Sequence, residues 1–392
     1  MNLNNMRCEA WILEKGELGN KPGRLLPRQV NIAKLGPEEI LVAPIYGCLE
    51  ANLLHAIQRQ PVDICQQRGE PFIIPGNACV AKIMEVGADV RTVVKGDLCM
   101  GFGIATGDAH GYPVKVLGYD APHVSGILAK RVVMKQHQMI PLPVDTRFSL
   151  EQWAAFSARY VSAWSNWKVA RACWDAQMSH ANPAEHYVCG WGGGVSLAEL
   201  ELAKREGFNT IMITSRDSRH EYIASQGITP VNRRAFPNLD YQPSRYIEDA
   251  AYREAYKDSE RKFLERLSDI TGGKMIDIFF ENIGQPVYRA TLKALARQAV
   301  LATCGWKMGM EMNYLRAIES INRHIHVHTH YATYDEVVTA MAYADRTGWM
   351  PDIMGEAVYS WDEIPDLCEM YANEGKDSYF PVFAINELSS LD

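Results

Sequence analysis

Long apolar runs are missing from this 392-residue chain. No stretch approaches the ~20 residues of a membrane-spanning helix. The start, Met1-Asn2-Leu3-Asn4-Asn5-Met6-Arg7, lacks a hydrophobic signal core. The expectation is a cytoplasmic protein with no membrane partner. Clustered cysteines are missing too. The nine cysteines are odd in number and scattered, with no Cys-x-x-Cys pair, which fits a reducing cytosol better than a disulfide framework. There is also no basic surplus. Forty Lys and Arg against 47 Asp and Glu leave a net charge of −7, which argues against a nucleic-acid partner. An anionic ligand must therefore meet a local basic patch. What remains, 47% hydrophobic and 22% charged, is the composition of a globular chain long enough for two domains.

The most informative stretch is His186-Tyr187-Val188-Cys189-Gly190-Trp191-Gly192-Gly193-Gly194-Val195-Ser196. A short strand enters a glycine cluster, and a helical pattern through Leu197, Leu200 and Ala203 leaves it. Strand, glycine turn and helix form the first unit of a dinucleotide-binding fold. Backbone without Cβ atoms can approach a pyrophosphate, and the helix N-terminus offers free N–H groups and partial positive charge. Gly190, Gly192, Gly193, Gly194 and Val195 are the expected cofactor-binding residues. Ser196 stands where a third glycine usually allows close packing of helix on strand.

A second strand, Thr210-Ile211-Met212-Ile213-Thr214, ends in Ser215-Arg216-Asp217-Ser218-Arg219. An acidic residue at this strand end would read a free ribose hydroxyl. A hydroxyl and two guanidinium groups suit a 2′-phosphate instead. Ser215, Arg216 and Arg219 therefore point to NADPH. Asp217 lies late enough to serve the following helix.

The chain before this stretch is strand-rich, punctuated by Pro22, Gly23, Pro27, Gly36 and Pro37. It contains PGNACVAKIMEVG from Pro75, VKGDLCM from Val94 and SGILAKRVVMKQHQMIPLPVD from Ser125. In this order, and followed by the glycine turn, these motifs resemble the medium-chain dehydrogenase/reductase superfamily over nearly the whole chain. The resemblance implies an α/β protein. A GroES-like β-rich domain (1–155 and 335–392) would be joined to a Rossmann domain with a doubly wound parallel sheet (156–334).

Many members of that superfamily hold a catalytic zinc. Cys48 falls where the first cysteine ligand would stand, the usual histidine is Asn77, and no ligand stands in register near Ser157-Ala158-Arg159-Tyr160. No metal is expected, and hydride addition to an activated double bond is favoured over alcohol oxidation. The NRR turn at Asn232 leads to a charged insert (235–262), expected as a surface extension. DITGG and DIFFENIG follow, then Leu301-Ala302-Thr303-Cys304-Gly305, Tyr314-Leu315 and His328-Thr329-His330-Tyr331. Together they resemble the crotonyl-CoA carboxylase/reductase branch. That resemblance implies an NADPH-dependent reductase of an α,β-unsaturated acyl thioester, carried on coenzyme A or a carrier protein, with carbon dioxide as the candidate second substrate and a homodimer or homotetramer as the assembly. It adds Ser162 and Cys304 to the cofactor-binding set. Its catalytic pocket maps onto Asn52, Tyr119, Asp120 and His330, with tyrosine for phenylalanine and aspartate for glutamate. His324, His326, His328 and His330 alternate, so on a strand they share one face, better suited to a subunit interface than to one ion. Two alternatives stay open: a zinc-independent quinone or enone oxidoreductase, and a non-catalytic nucleotide-binding homologue.

Overall fold

The computed structural model describes residues 6–17, 21–309, 311–313, 324–353, 357–373 and 378–391; Tyr314-Leu315 lies outside them. The chain forms two compact units, Met1–Val161 with Ala332–Asp392, and Ser162–Tyr331. Among the described residues no helix is long and apolar enough to cross a membrane.

The first unit is built on antiparallel strands. Met139–Pro141, Leu98–Gly101, Cys79–Val86, Glu39–Cys48 and Val382–Ala384 pair in that order, and Val132–Lys135 also pairs with Glu39–Cys48. The C-terminal strand thus returns to the first unit, with Val382 opposite Cys48. Glu39–Cys48 is buried along most of its length, as expected of a strand flanked on both sides. Helix α1, Ala51–Gln58, follows directly, its first turn capped by the Glu50 carboxylate, which accepts the Leu53 N–H at 3.1 Å. Capping satisfies one of the donors that a helix start leaves orphaned.

Helix α2, Leu150–Met178, carries an aromatic stripe. Trp153, Phe156, Tyr160, Trp167 and Trp174 are buried, consistent with helical spacing of a core face.

The second unit is a six-stranded parallel sheet. Its strands are β1 (Tyr187–Trp191), β2 (Asn209–Thr214), β3 (Thr229–Asn232), β4 (Ile276–Phe280), β5 (Leu295–Thr303) and β6 (His324–His328). The spatial order is β3-β2-β1-β4-β5-β6. This is the doubly wound order, and it reverses between β1 and β4, where the strand ends open a crevice for a ligand. Helix α3, Gly194–Arg205, follows β1, and helix α4, Asp217–Ser225, follows β2.

The charged insert is not a surface loop. It forms a short helix, Pro243–Glu248, and the start of a long one, α5, Ala250–Thr271. Tyr252, Tyr256, Phe263 and Leu267 are buried at helical spacing, while Glu254, Lys257, Asp258, Arg261 and Glu265 pair on the outer face. The charges mask an amphipathic helix whose apolar stripe packs the sheet.

Candidate active site

In the second unit, the glycine turn brings helix and strand into close contact. A Cβ built on Gly190 would lie 3.2 Å from the Cβ of Ser196, and one on Gly192 would lie 3.0 Å from the Ile213 carbonyl oxygen. Serine is thus tolerated at the third position because Gly190 gives way opposite it. Gly193 precedes α3 and faces open space, and Gly194 and Val195 begin the helix, so the N–H groups of its first turn form the candidate phosphate cradle.

Trp191 fills the position after the first glycine. It is buried, its Nε1 donates to Thr291 Oγ1 at 2.8 Å, and it stacks on Phe263 of α5 at 5.3 Å. The Arg233 guanidinium lies over the Trp191 ring, 5.7 Å from its centroid. The insert therefore braces the glycine turn and orients a cation at the end of β3.

Ser215 is exposed just past β2, Arg216 caps α4 and Arg219 lies in its first turn. Asp217 begins α4 and pairs with Arg234 at 3.6 Å, a solvent-exposed contact. Burial, and then the charges of Arg219, Arg233 and Arg216, push the Lys307 pKa below its usual value. Four cations therefore share this end of the sheet. Arg233 and Lys307 escaped the sequence reading. Arg233 sits in the NRR turn, where its place at a strand end was the available signal. Lys307 is brought in by tertiary contacts alone. The Lys307 and Met308 N–H groups donate to the carbonyls of Asn282 and Ile283 at 3.0 and 2.8 Å, folding the segment after β5 over the end of β4. The Cys304 N–H donates to Asn282 Oδ1 at 2.8 Å in the same fold-back.

Two buried carboxyls lie beneath this crevice. Glu199 of α3 is 0% exposed, and its Oε1 accepts from Asn166 Nδ2 at 2.7 Å. Asn166 Oδ1 accepts from Thr329 Oγ1 at 2.8 Å. Burial lifts the Glu199 pKa well above the carboxylate range, so its charge is quenched. Glu281, just past β4, accepts the Ile283 and Gly284 N–H groups at 2.8 and 2.7 Å, but burial still raises its pKa to about 7.

The first unit holds a second polar cluster. Cys48 ends its strand 2% exposed. Arg159 of α2 donates from Nη1 to Cys48 Sγ at 2.9 Å and from Nη2 to the Leu49 carbonyl. Beside them the Tyr119 hydroxyl donates to Glu50 Oε1. Burial raises the pKa of both Glu50 and Tyr119. Among the described residues no group of three or more His, Cys, Asp or Glu is arranged to hold a metal ion.

No family model matches the sequence. The crotonyl-CoA carboxylase/reductase of Cereibacter sphaeroides is 22% identical over 387 residues, 94% of this chain and 85% of that protein. A crotonyl-CoA reductase of Streptomyces avermitilis is 22% identical over 329 residues, 78% of this chain and 70% of that protein. Among solved structures, a 2-octenoyl-CoA carboxylase reductase in complex with NADP and 2-octenoyl-CoA superposes with a TM-score of 0.79 at 17% identity. That match covers 97% of this chain and 89% of the other. The chain has the fold of these proteins, and its relatives are consistent with the medium-chain dehydrogenase/reductase superfamily. It resembles the crotonyl-CoA carboxylase/reductase branch.

The residues that this resemblance assigns to the catalytic pocket, and Ser162 assigned to the cofactor, are divided between the units. Asn52 lies partly exposed in the first turn of α1. Tyr119 is 2% exposed, with its hydroxyl engaged by Glu50 rather than presented to solvent. Asp120 Oδ2 accepts the Val116 N–H at 3.2 Å, closing its own turn. Ser162 is the first residue of the second unit, on α2. His330 belongs to the second unit and is exposed beyond the end of β6, so it leaves the alternation of His324, His326 and His328. The His326 and His328 rings lie 4.5 Å apart, and burial followed by the charges of His328 and His324 lowers the His326 pKa to about 4.

Proposed function

We propose that the chain is an NADPH-dependent reductase of α,β-unsaturated acyl thioesters. The observation that carries this is the group of Arg216, Arg219, Arg233 and Lys307 beside the glycine turn. Such a concentration of like charge in a chain of net charge −7 suits a ligand with several phosphates. A dinucleotide bearing a 2′-phosphate fits it, with its diphosphate on the first turn of α3. The quenched charge of Glu199 keeps the crevice from repelling it. The thioester half of the reading rests on the relatives, which are named for crotonyl-CoA and bind NADP with 2-octenoyl-CoA in one case.

Bound NADPH supplies hydride to the β carbon of such a substrate. The chain must then stabilise the negative charge left on the thioester oxygen, with donors fixed in advance. A proton on the α carbon completes reduction. Tyr119 tied to Glu50 and Asp120 tied to Val116 support this ending. Carboxylation of the enolate by carbon dioxide is the second reading. It is favoured by Asn52 and His330, which keep the residue types of the resembled pocket, and by the relatives named as carboxylases. The edge strand β6, with its histidines, suits assembly into a homodimer or homotetramer.

The test follows loss of reduced-nicotinamide absorbance with crotonyl-CoA and longer enoyl-CoAs, with NADPH or NADH, with and without bicarbonate, and weighs the products. Saturated product in both conditions supports plain reduction. A product heavier by one carboxyl group supports the second reading. No oxidation with any thioester refutes both and leaves the quinone reductase or the non-catalytic homologue.

A further inference from the structure

The cluster around Cys48 has a feature that the cofactor site does not explain. The resemblance puts a metal ligand at Cys48 and another close to Arg159 in the zinc-dependent members of the superfamily. Here the two positions are joined directly. The guanidinium donates to the sulfur at 2.9 Å. A second donor is fixed on the Leu49 carbonyl, and the Phe380 ring lies 5.8 Å from the guanidinium carbon. Cys48 is itself held by its backbone, with its N–H on the Ala78 carbonyl at 3.1 Å, one residue from Asn77. The back of the arginine is thus anchored.

The Glu50 carboxyl beside Arg159 is engaged by the Tyr119 hydroxyl and the Leu53 N–H. Burial works against the arginine charge, but Cys48, Tyr371 and Glu50 outweigh it and its pKa is raised, so the guanidinium stays protonated. The described contacts engage two of the five N–H donors that a guanidinium carries. The side chain is partly exposed, so the remaining donors can meet a ligand.

We infer that Arg159 is the electrophile of this enzyme. Its guanidinium hydrogen-bonds the thioester oxygen of the substrate and holds the negative charge that forms there, in the role that a metal ion fills in zinc-dependent relatives. The inference rests on the thioester reading proposed above. As hydride bonds to the β carbon, the C=C electron pair shifts to make the α-carbon–carbonyl double bond, and the carbonyl pair moves onto oxygen. The Arg159 N–H groups receive that oxygen without giving up a proton. The α carbon then takes a proton from water, which leaves hydroxide, and the oxygen pair returns to restore the C=O bond.

The experiment compares the wild-type protein with Arg159→Met and Arg159→Lys, first by thermal melting and then by NADPH oxidation with crotonyl-CoA. Loss of one oxyanion donor typically costs about 100- to 1000-fold in kcat. Arg159→Met should lose about that much, with the Kd for NADPH unchanged. Arg159→Lys, which keeps the charge and loses the planar fork, should lie between. A second readout uses no turnover. Cinnamoyl-CoA, whose conjugated thioester absorbs further to the red when its oxygen accepts a hydrogen bond, should shift on binding to wild type and not on binding to Arg159→Met. A folded Arg159→Met with wild-type kcat, or with the full red shift, overturns the inference. If Arg159→Met does not fold, the graded loss and smaller shift of Arg159→Lys decide it in the same way. Wild-type protein that oxidises NADPH with no thioester sinks the thioester reading itself, and this inference falls with it. An active wild type with an indifferent Arg159 sinks this inference alone.

Discussion

Replacing Arg233 by alanine tests the cofactor site most sharply, because Arg233 was read from the structure and not from the sequence. Its guanidinium is held over Trp191 and is close enough to Lys307 to depress the lysine pKa. A hydrogen bond to a charged group contributes about 1.5–3 kcal/mol, which is a factor of roughly 10 to 150 in Kd. Arg233→Ala should weaken NADPH by that amount. NADH has no third phosphate, so it should change by less than about threefold. The effect should shrink as salt is raised, because the cluster is partly exposed and screening is strong beyond about 10 Å at 0.1 M. The unliganded protein should melt no lower than wild type, because the substitution also removes like-charge repulsion. Fluorescence titration with both nucleotides at two ionic strengths reads the affinities and their salt dependence, and a thermal melt reads the stability. Equal losses for NADPH and NADH would refute the reasoning, since they would mean that Arg233 supports the fold and not the phosphate.

The remaining predictions concern stability. Glu281 has a folded pKa of about 7, above its unfolded value. Its burial is therefore harmless below pH 4.5 and becomes costly as pH rises to 7, by about 3 kcal/mol at about 1.4 kcal/mol per unit. Glu281→Gln keeps the acceptor for Ile283 and Gly284, so it should raise the melting temperature at pH 8 and leave it nearly unchanged at pH 4.5. A pH-independent difference would contradict this. His326 has the opposite sign: its folded pKa of about 4 lies below the ordinary value of 6.5. Its contribution is complete above pH 6.5 and falls by at most about 3 kcal/mol as pH drops toward 4. His326→Phe should flatten the acid limb of a melting-temperature profile. Trp191→Ala removes the stack on Phe263 and should cost about 3–5 kcal/mol. It should also weaken NADPH more than NADH by releasing Arg233, and chemical denaturation with nucleotide titration checks both.

The fold was legible because its signals are local and ordered. A strand, a glycine turn and a helix must be contiguous to make the first nucleotide-binding unit, so Tyr187 to Arg205 declares itself in sequence. Arg216 and Arg219 were legible for the same reason, being fixed by their distance from that turn. Lys307 was not. It comes from beyond β5, and only the hydrogen bonds of Lys307 and Met308 to the end of β4 fold it back. The inserted helix was misread because its outer face carries many charges, which hid the stripe of Tyr252, Tyr256, Phe263 and Leu267. Tyr119 and Asp120 were placed in a pocket by resemblance. Resemblance fixes a backbone position and leaves open which neighbour the side chain chooses, here Glu50 and Val116.

One physical theme joins the two clusters. In each, an acid is buried among the groups proposed to meet an anionic ligand, and in each burial raises its pKa. Glu199 lies in α3, whose N-terminus offers the phosphate cradle. An ionised carboxylate there would offset the positive potential of the helix N-terminus and repel its ligand, whereas a protonated one bonded to Asn166 does not. Glu50 lies near Arg159, and a full ion pair would neutralise the guanidinium. The Tyr119 bond and the cap on Leu53 occupy the carboxyl while burial raises its pKa. Glu199→Gln should then be mild, because it replaces an acid whose charge burial quenches with a neutral amide of similar shape. Glu199→Asp should be worse than Glu199→Gln in nucleotide affinity and in melting temperature. The aspartate side chain is shorter, cannot reach Asn166 Nδ2 from the same backbone, and leaves a buried carboxyl unpaired at a cost of about 1–3 kcal/mol. Equal behaviour of Glu199→Asp and Glu199→Gln would show that the bond to Asn166 does not matter.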